Sequence, residues 1–282
     1  MATVFLFRMS PTEGFLVTHI GQSSTRTTID LAQVSSVVTL AWAAATDLGH
    51  RREVNEDSLL AAAPLFVVAD GMGGHSAGDV ASAAVVNRLA ELSTADSTDT
   101  ESINRALSQA VVDMSHGEGV TDQGTGTTVS GIALGELNGS AQWIVFNIGD
   151  SRVYQLTSGV LEQVTTDHSV VQELVDAGRI TREEAEVHPH SNVITRAVGF
   201  HEAPIPDYRI LPVQPGMRLL ICSDGLTKEL TAYGIRHFLL SIPLAADAVQ
   251  ALIEAALDNG GRDNVTAVVV DVLEVTTGNS DV

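Results

Sequence analysis

From residue 37 onward the chain sets short apolar runs, rich in Val, Ile and Leu and bounded by Gly, Asp and Asn, against a few amphipathic stretches. Runs at residues 37–47, 65–69, 127–134, 141–156, 160–165, 207–211, 218–222 and 264–273 predict strands. The short connections between residues 127 and 165 predict antiparallel hairpins. Two stretches carry the helical period instead. In 77–92 the positions Ala81, Val85, Leu89 and Leu92 fall on one face, and in 101–115 Ile103, Leu107, Val111 and Met114 do the same. A further helix is predicted at 244–258. Residues 169–192 read as a short helix, a Gly turn and a second short helix stopped by Pro189, a helical excursion inserted in a strand-rich region. Strand and helix blocks are segregated rather than alternating. That disfavours a parallel βαβ sheet and predicts an α+β sandwich of antiparallel sheets flanked by helices. Residues 1–36, with the cluster SSTRTT at 23–28 and no sustained period, read as a poorly defined N-terminal extension.

Composition changes this picture only at the edges. With 282 residues, 44% of them hydrophobic, the chain can bury a sizeable core. Its 35 acidic against 15 basic residues give a net charge of −20, which opposes nucleic acid or an anionic membrane as partner. The same excess of carboxylates fits either a solvated surface or a set converging on cations, and only position separates the two. No stretch reaches the ~20 apolar residues of a membrane span, and the N-terminal VFLF is too short for a secretory signal. A single cysteine, Cys222, excludes an internal disulfide; a cytoplasmic chain is expected. Cys222 lies in an apolar run, where packing is the better reading than nucleophilic chemistry.

Four aspartates share one local design. Asp70, Asp150 and Asp224 each follow an apolar run, and Asp263 directly precedes the last one. Carboxylates at the ends of rigid core strands suit a hard-metal site, because Mg²⁺ and Mn²⁺ take oxygen ligands and few carboxylates. Asp is also common in turns, so any one of the four is ambiguous; together they favour a site. After Asp70, the glycines Gly71, Gly73 and Gly74 permit a tight turn and the close approach of a backbone carbonyl to an ion. Other chemistries find less support. No Gly-Lys-Ser/Thr sequence ends a phosphate loop. His188 and His190 straddle Pro189 without the spacing of a zinc helix, and no Gly-x-Ser-x-Gly elbow is present.

In order along the chain stand GHRREVNEDS (49–58), ADGMGGHSAGDVAS (69–82), GTGTT (124–128), IGDSRVY (148–154), the excursion from residue 165 to 199, LICSDGLT (220–227) and GGRDNVTAVVV (260–270). This ordered set resembles the metal-dependent serine/threonine protein phosphatases of the PP2C (PPM) type in their bacterial form, over residues 37–273. The resemblance implies a four-layer αββα sandwich for a domain at 37–274, with a flap at about 165–199 and a tail at 275–282. It also implies two Mn²⁺ or Mg²⁺ ions. Asp70 would bridge them, Glu56 and the Gly71 carbonyl would serve one, and Asp224 and Asp263 the other. Asp150 with Asp224 would form a third, weaker site. Arg52, chosen over Arg51 by its spacing to Asn55, Glu56 and Asp57, would hold the substrate phosphate.

The activity so implied is hydrolysis of phosphoserine and phosphothreonine monoesters by direct attack of a metal-bridging water, with no phosphoenzyme. His75 is the nearest histidine for protonating the leaving group; capping or packing the helix at residue 77 is the alternative task. Phosphorylated proteins, substrates of a Ser/Thr kinase, are the implied partners of a monomeric enzyme, and the flap would contact them. One departure stands out. After CSDGLT the family commonly places another aspartate that helps the third metal, and here Lys228 stands there, which counts against that site's occupancy. Competing readings are a catalytically dead phosphatase fold acting as a binding module, and a phosphatase restricted to an anti-sigma-factor antagonist.

Overall fold

A computed structural model describes residues 17–73, 77–116, 125–200 and 203–277. In chain order the strands are β1 (His19–Gly21), β2 (Ser24–Leu31), β3 (Ser36–Asp47), β4 (Asp57–Ala62), β5 (Leu65–Met72), β6 (Gly126–Thr127), β7 (Val129–Leu137), β8 (Ser140–Ile148), β9 (Arg152–Thr157), β10 (Val160–Gln163), β11 (Asp207–Pro212), β12 (Arg218–Cys222) and β13 (Val265–Thr277). The helices are α1 (Ala77–Ala90), α2 (Thr100–His116), α3 (Val170–Asp176), α4 (Arg182–Glu186), α5 (Asp224–Thr227), α6 (Ala232–Ser241) and α7 (Ala245–Asp258). One sheet runs β1-β4-β5-β7-β8-β11, with β6 paired to β5. The other runs β10-β9-β12-β13-β3-β2.

Three apolar layers explain why so many strands read as unbroken hydrophobic runs. Along β5, Phe66 and Val68 enter the layer between the two sheets, while Leu65, Val67 and Ala69 enter a second layer beneath α1 and α2. In β12, Leu219 and Ile221 face the central layer, and Leu220 and Cys222 face a third layer beneath α6 and α7. Both faces of each sheet are therefore covered, so the period-two pattern is apolar on both sides rather than alternating with polar residues. The architecture is the expected α+β sandwich, helices outside and sheets inside. Cys222 is fully buried, as packing requires.

Several elements differ from the sequence expectation, which contains neither β4 nor α5. The stretch taken as an extension up to residue 36 supplies β1 and β2, which pair with β4 and β3 respectively. β1 runs parallel to β4, an exception to the otherwise antiparallel pairing. The apolar run 141–156 is two strands in different sheets. Gly149, at φ +106°, ends β8 and turns the chain toward β9, leaving Asp150 in the crossing between the sheets. Helix α6, absent from the sequence reading, carries a glycine in its first turn that weakens its helical signal. Among the described residues, no helix is long and apolar enough to cross a membrane.

Candidate active site

The acidic residues singled out from the sequence meet at one end of the sandwich. Asp70 lies in β5 of the first sheet, Asp150 in the crossing from β8 to β9, Asp224 at the start of α5 just after β12, and Asp263 just before β13. β5 continues two residues past Asp70 because Gly71 and Met72 pair with β6. Asp70 is fully engaged by its backbone. Its N–H donates to Thr128 Oγ1 (3.0 Å), and its carbonyl accepts from the Thr128 N–H (2.9 Å) and from Thr127 Oγ1 (2.9 Å). Thr127 and Thr128 of the GTGTT stretch are thus the clamp that fixes Asp70.

A sixth carboxylate, Asp57, belongs to the same group and was not singled out from the sequence. It opens β4 and sits directly opposite Asp70 in the β4/β5 ladder. Like charges facing each other across strands are destabilising, so this pairing calls for a compensating cation. Asp57 Oδ2 accepts from Ser223 Oγ (2.9 Å) and Thr266 Oγ1 (2.6 Å), while its Oδ1 is buried without a partner. Asp224 Oδ1 is buried and unpaired as well. Burial, followed by the charges of neighbouring aspartates, raises Asp57, Asp70 and Asp150 above the ordinary carboxylate range. The signal that would have found Asp57 was present: a carboxylate at the mouth of an apolar strand, the design already recognised at Asp263.

Two cations reach into this acidic end. Arg52, on the loop between β3 and β4, places Nε 2.7 Å from Asp263 Oδ1. Lys228 pairs with Asp224 Oδ2 and stands 3.4 Å from Asp263 Oδ2. Burial works to raise the Asp263 carboxyl, but the Arg52 hydrogen bond and the charges of Lys228 and Arg52 outweigh it and hold it low. Glu56 is raised, first by burial, with Arg52 opposing. Among the described residues no three His, Cys, Asp or Glu side chains form a ready-made ligand set; Lys228 and Arg52 take up carboxylate oxygens instead. The unpaired oxygens of Asp57 and Asp224 and the mutual repulsion of the aspartates nevertheless fit a centre designed for hard cations.

The backbone around Glu56 is assembled by close approach. Gly71 N–H donates to the Glu56 carbonyl (3.1 Å), and a Cβ at Gly71 would fall 2.6 Å from that carbonyl oxygen and still nearer the Gly78 carbonyl of α1. Asn264, 5% exposed, ties the loop carrying Arg52 and Glu56 to β13. Its Oδ1 accepts from the Glu56 N–H (2.9 Å), and its Nδ2 donates to the carbonyls of Leu48 (2.9 Å) and Val54 (3.1 Å). Asn264→Ala removes all three bonds and is expected to cost about 2 kcal/mol. Urea unfolding checks this, and an unchanged midpoint would show that the loop holds itself.

The predicted excursion is present as α3 and α4, and its base supports the Asp150 turn. His168 N–H donates to the Gly149 carbonyl, Gly149 N–H donates to His168 Nδ1 (3.1 Å), and Arg152 grips Asp167 through Nε and Nη2. His75 and Gly74 lie outside the described residues. Arg51 and Arg52 are both exposed, and Arg52 lies close to Asp263, Asp70 and Glu56.

Residues 49–260 match the family model for protein phosphatase 2C. The chain is 41% identical over 255 residues to serine/threonine protein phosphatase PstP of Mycobacterium tuberculosis, covering 89% of this chain and 48% of that protein, so it spans about half the length of this relative. The crystal structure of the M. tuberculosis phosphatase PstP/Ppp superposes with a TM-score of 0.76 at 38% identity, covering 83% of this chain and 99% of that one. The catalytic domain of PstP in complex with two manganese ions gives 0.71 at 38% identity, covering 83% and 99%.

Proposed function

The chain belongs to the protein phosphatase 2C family, and from that premise we propose that it is a metal-dependent phosphatase of phosphoserine and phosphothreonine in proteins. The observation that carries this reading is the meeting of Asp57, Asp70, Asp150, Asp224 and Asp263, two of them with unpaired buried oxygens, beside the guanidinium of Arg52. Asp70, Glu56 and the Gly71 carbonyl would hold one divalent ion, and Asp70, Asp224 and Asp263 a second; two manganese ions in the related catalytic domain support this number. Bound there, Mn²⁺ or Mg²⁺ supplies a nucleophile from water near neutral pH and neutralises the phosphoryl charge.

The chain's own residues do the rest. Arg52 uses one N–H on Asp263, which leaves the remaining N–H groups of its fork to bind and orient a phosphate dianion. Asp57 keeps its position through Ser223 and Thr266 and offers Oδ1 to a hydrogen-bond donor in the site. No side-chain nucleophile is needed, and the described residues place no cysteine for one: burial pushes the Cys222 thiol up to about 12. His75 is the proposed proton donor to the leaving alkoxide. The flap carrying α3 and α4 would meet the phosphoprotein, a kinase product, and a cytoplasmic location fits a chain with one buried cysteine. The proposed phosphatase unit is residues 37–274 together with the edge strands β1 and β2.

Arg52 gives the test. On a phosphothreonine peptide, Arg52→Ala is expected to raise KM by about tenfold or more, and Arg52→Lys is expected to recover only part of that, because a point charge cannot reproduce the fork. Wild-type KM in both variants would remove Arg52 from phosphate binding. Failure of the wild-type protein to release phosphate from the peptide would contradict the function.

A further inference from the structure

We propose that Lys228 is a tethered cation that competes with divalent metal for Asp224 and Asp263, so that metal loads on that side only as the lysine withdraws. The inference rests on the two-ion reading of the site. Its ammonium takes Asp224 Oδ2 and approaches Asp263 Oδ2 at 3.4 Å, while Arg52 holds Asp263 Oδ1. Three of the four carboxylate oxygens on these two residues therefore already face a cation, and the fourth, Asp224 Oδ1, is buried and unpaired.

The stem of this lysine is fixed. Lys228 N–H donates to the Asp224 carbonyl (2.8 Å), and its own carbonyl accepts from Arg262 Nη2 (3.3 Å). Arg262 is in turn held by Glu229 through Nε (2.8 Å), on the same loop that carries Asp263. The backbone is thus anchored at both ends of the ion pair, and only the four-carbon side chain, about one-third exposed at 32%, is free to swing toward solvent.

Charge balance points the same way. Among the described residues the six carboxyl groups of Glu56, Asp57, Asp70, Asp150, Asp224 and Asp263 are faced by two cationic side chains, Arg52 and Lys228. Withdrawing the ammonium removes one positive charge from this carboxylate cluster, so a divalent ion is drawn to it more strongly with the lysine out than with it in place. In the metal-free protein the same ammonium shields the most crowded part of the cluster. Lys228 thus stabilises the empty state and opposes filling, and an ion bound only in a lysine-out state pays that state's low population in apparent affinity.

The test uses the full chain stripped of metal, titrated calorimetrically with MnCl₂, with the unfolding midpoint of the metal-free protein read alongside. Lys228→Met is expected to bind Mn²⁺ about tenfold tighter at the weaker step and to unfold at a lower temperature when metal-free. Lys228→Gln serves the same comparison should the Met variant fail to fold. Lys228→Arg, which keeps the positive charge, is expected to bind no tighter than wild type. Equal Mn²⁺ affinity in wild type and the neutral variants, or tightening by Arg as well, would overturn the role of Lys228 while leaving the metal centre intact. Absence of Mn²⁺ binding in every protein, wild type included, would overturn the metal reading itself and this inference with it.

Discussion

Asp70→Asn is expected to lower turnover of a phosphomonoester by at least about 10³-fold, a barrier increase of about 4 kcal/mol, while making the metal-free protein more stable. The two effects have one cause. Asp70 is half-buried, lies opposite Asp57 in the β-ladder, and is crowded by Asp224, Asp150 and Asp263. Without metal this charge is a liability, and a neutral side chain of the same shape relieves it; an increase of about 3 °C in the unfolding midpoint corresponds to about 1 kcal/mol. With metal the same charge is the proposed bridge between ions, and its loss disables the centre. Steady-state hydrolysis in Mn²⁺ and a thermal melt in chelator check the two halves. A variant that lost activity and stability together would mark Asp70 as structural only.

Gly71→Ala is the second large effect, expected to cost about 3 kcal/mol of stability and about a hundredfold in kcat/KM. A methyl at this position would be driven into the carbonyls of Gly78 and Glu56, both backbone atoms that cannot rotate away. β5 and the start of α1 would have to separate, moving the Gly71 carbonyl and Glu56 from their places. The control is Gly139→Ala. That glycine has φ +75° but nothing within 4 Å of the added methyl, so about 1 kcal/mol of backbone strain with unchanged kcat/KM is expected. Denaturant unfolding and peptide kinetics distinguish the two. Matching losses at both positions would mean that the close approach at Gly71 is unimportant.

How far the sequence was legible follows from where burial is two-sided. β5, β12 and β13 announce themselves because each lies between two apolar layers, so both faces of their central stretches, residues 65–69, 219–222 and 267–270, are apolar. β2 does not, because STRTTIDL is an edge strand with polar residues on its open side. Asp70, Asp150, Asp224 and Asp263 were visible as carboxylates at the ends of such runs, and the fold does bring them together. Asp57 was hidden by its neighbour Glu56, which claimed the opening motif. The Thr127 and Thr128 clamp was hidden because its hydrogen bonds join residues nearly sixty positions apart. Lys228 was visible as a departure at its position, but its reach across Asp224 to Asp263 depends on how α5 meets the loop before β13.

The most direct test of the central claim is release of inorganic phosphate from a phosphothreonine peptide by the purified chain, with and without Mn²⁺. The account predicts release in Mn²⁺, its loss after chelation, and recovery when Mn²⁺ is returned. Release that persists unchanged in excess chelator, or no release at any Mn²⁺ concentration, would contradict it.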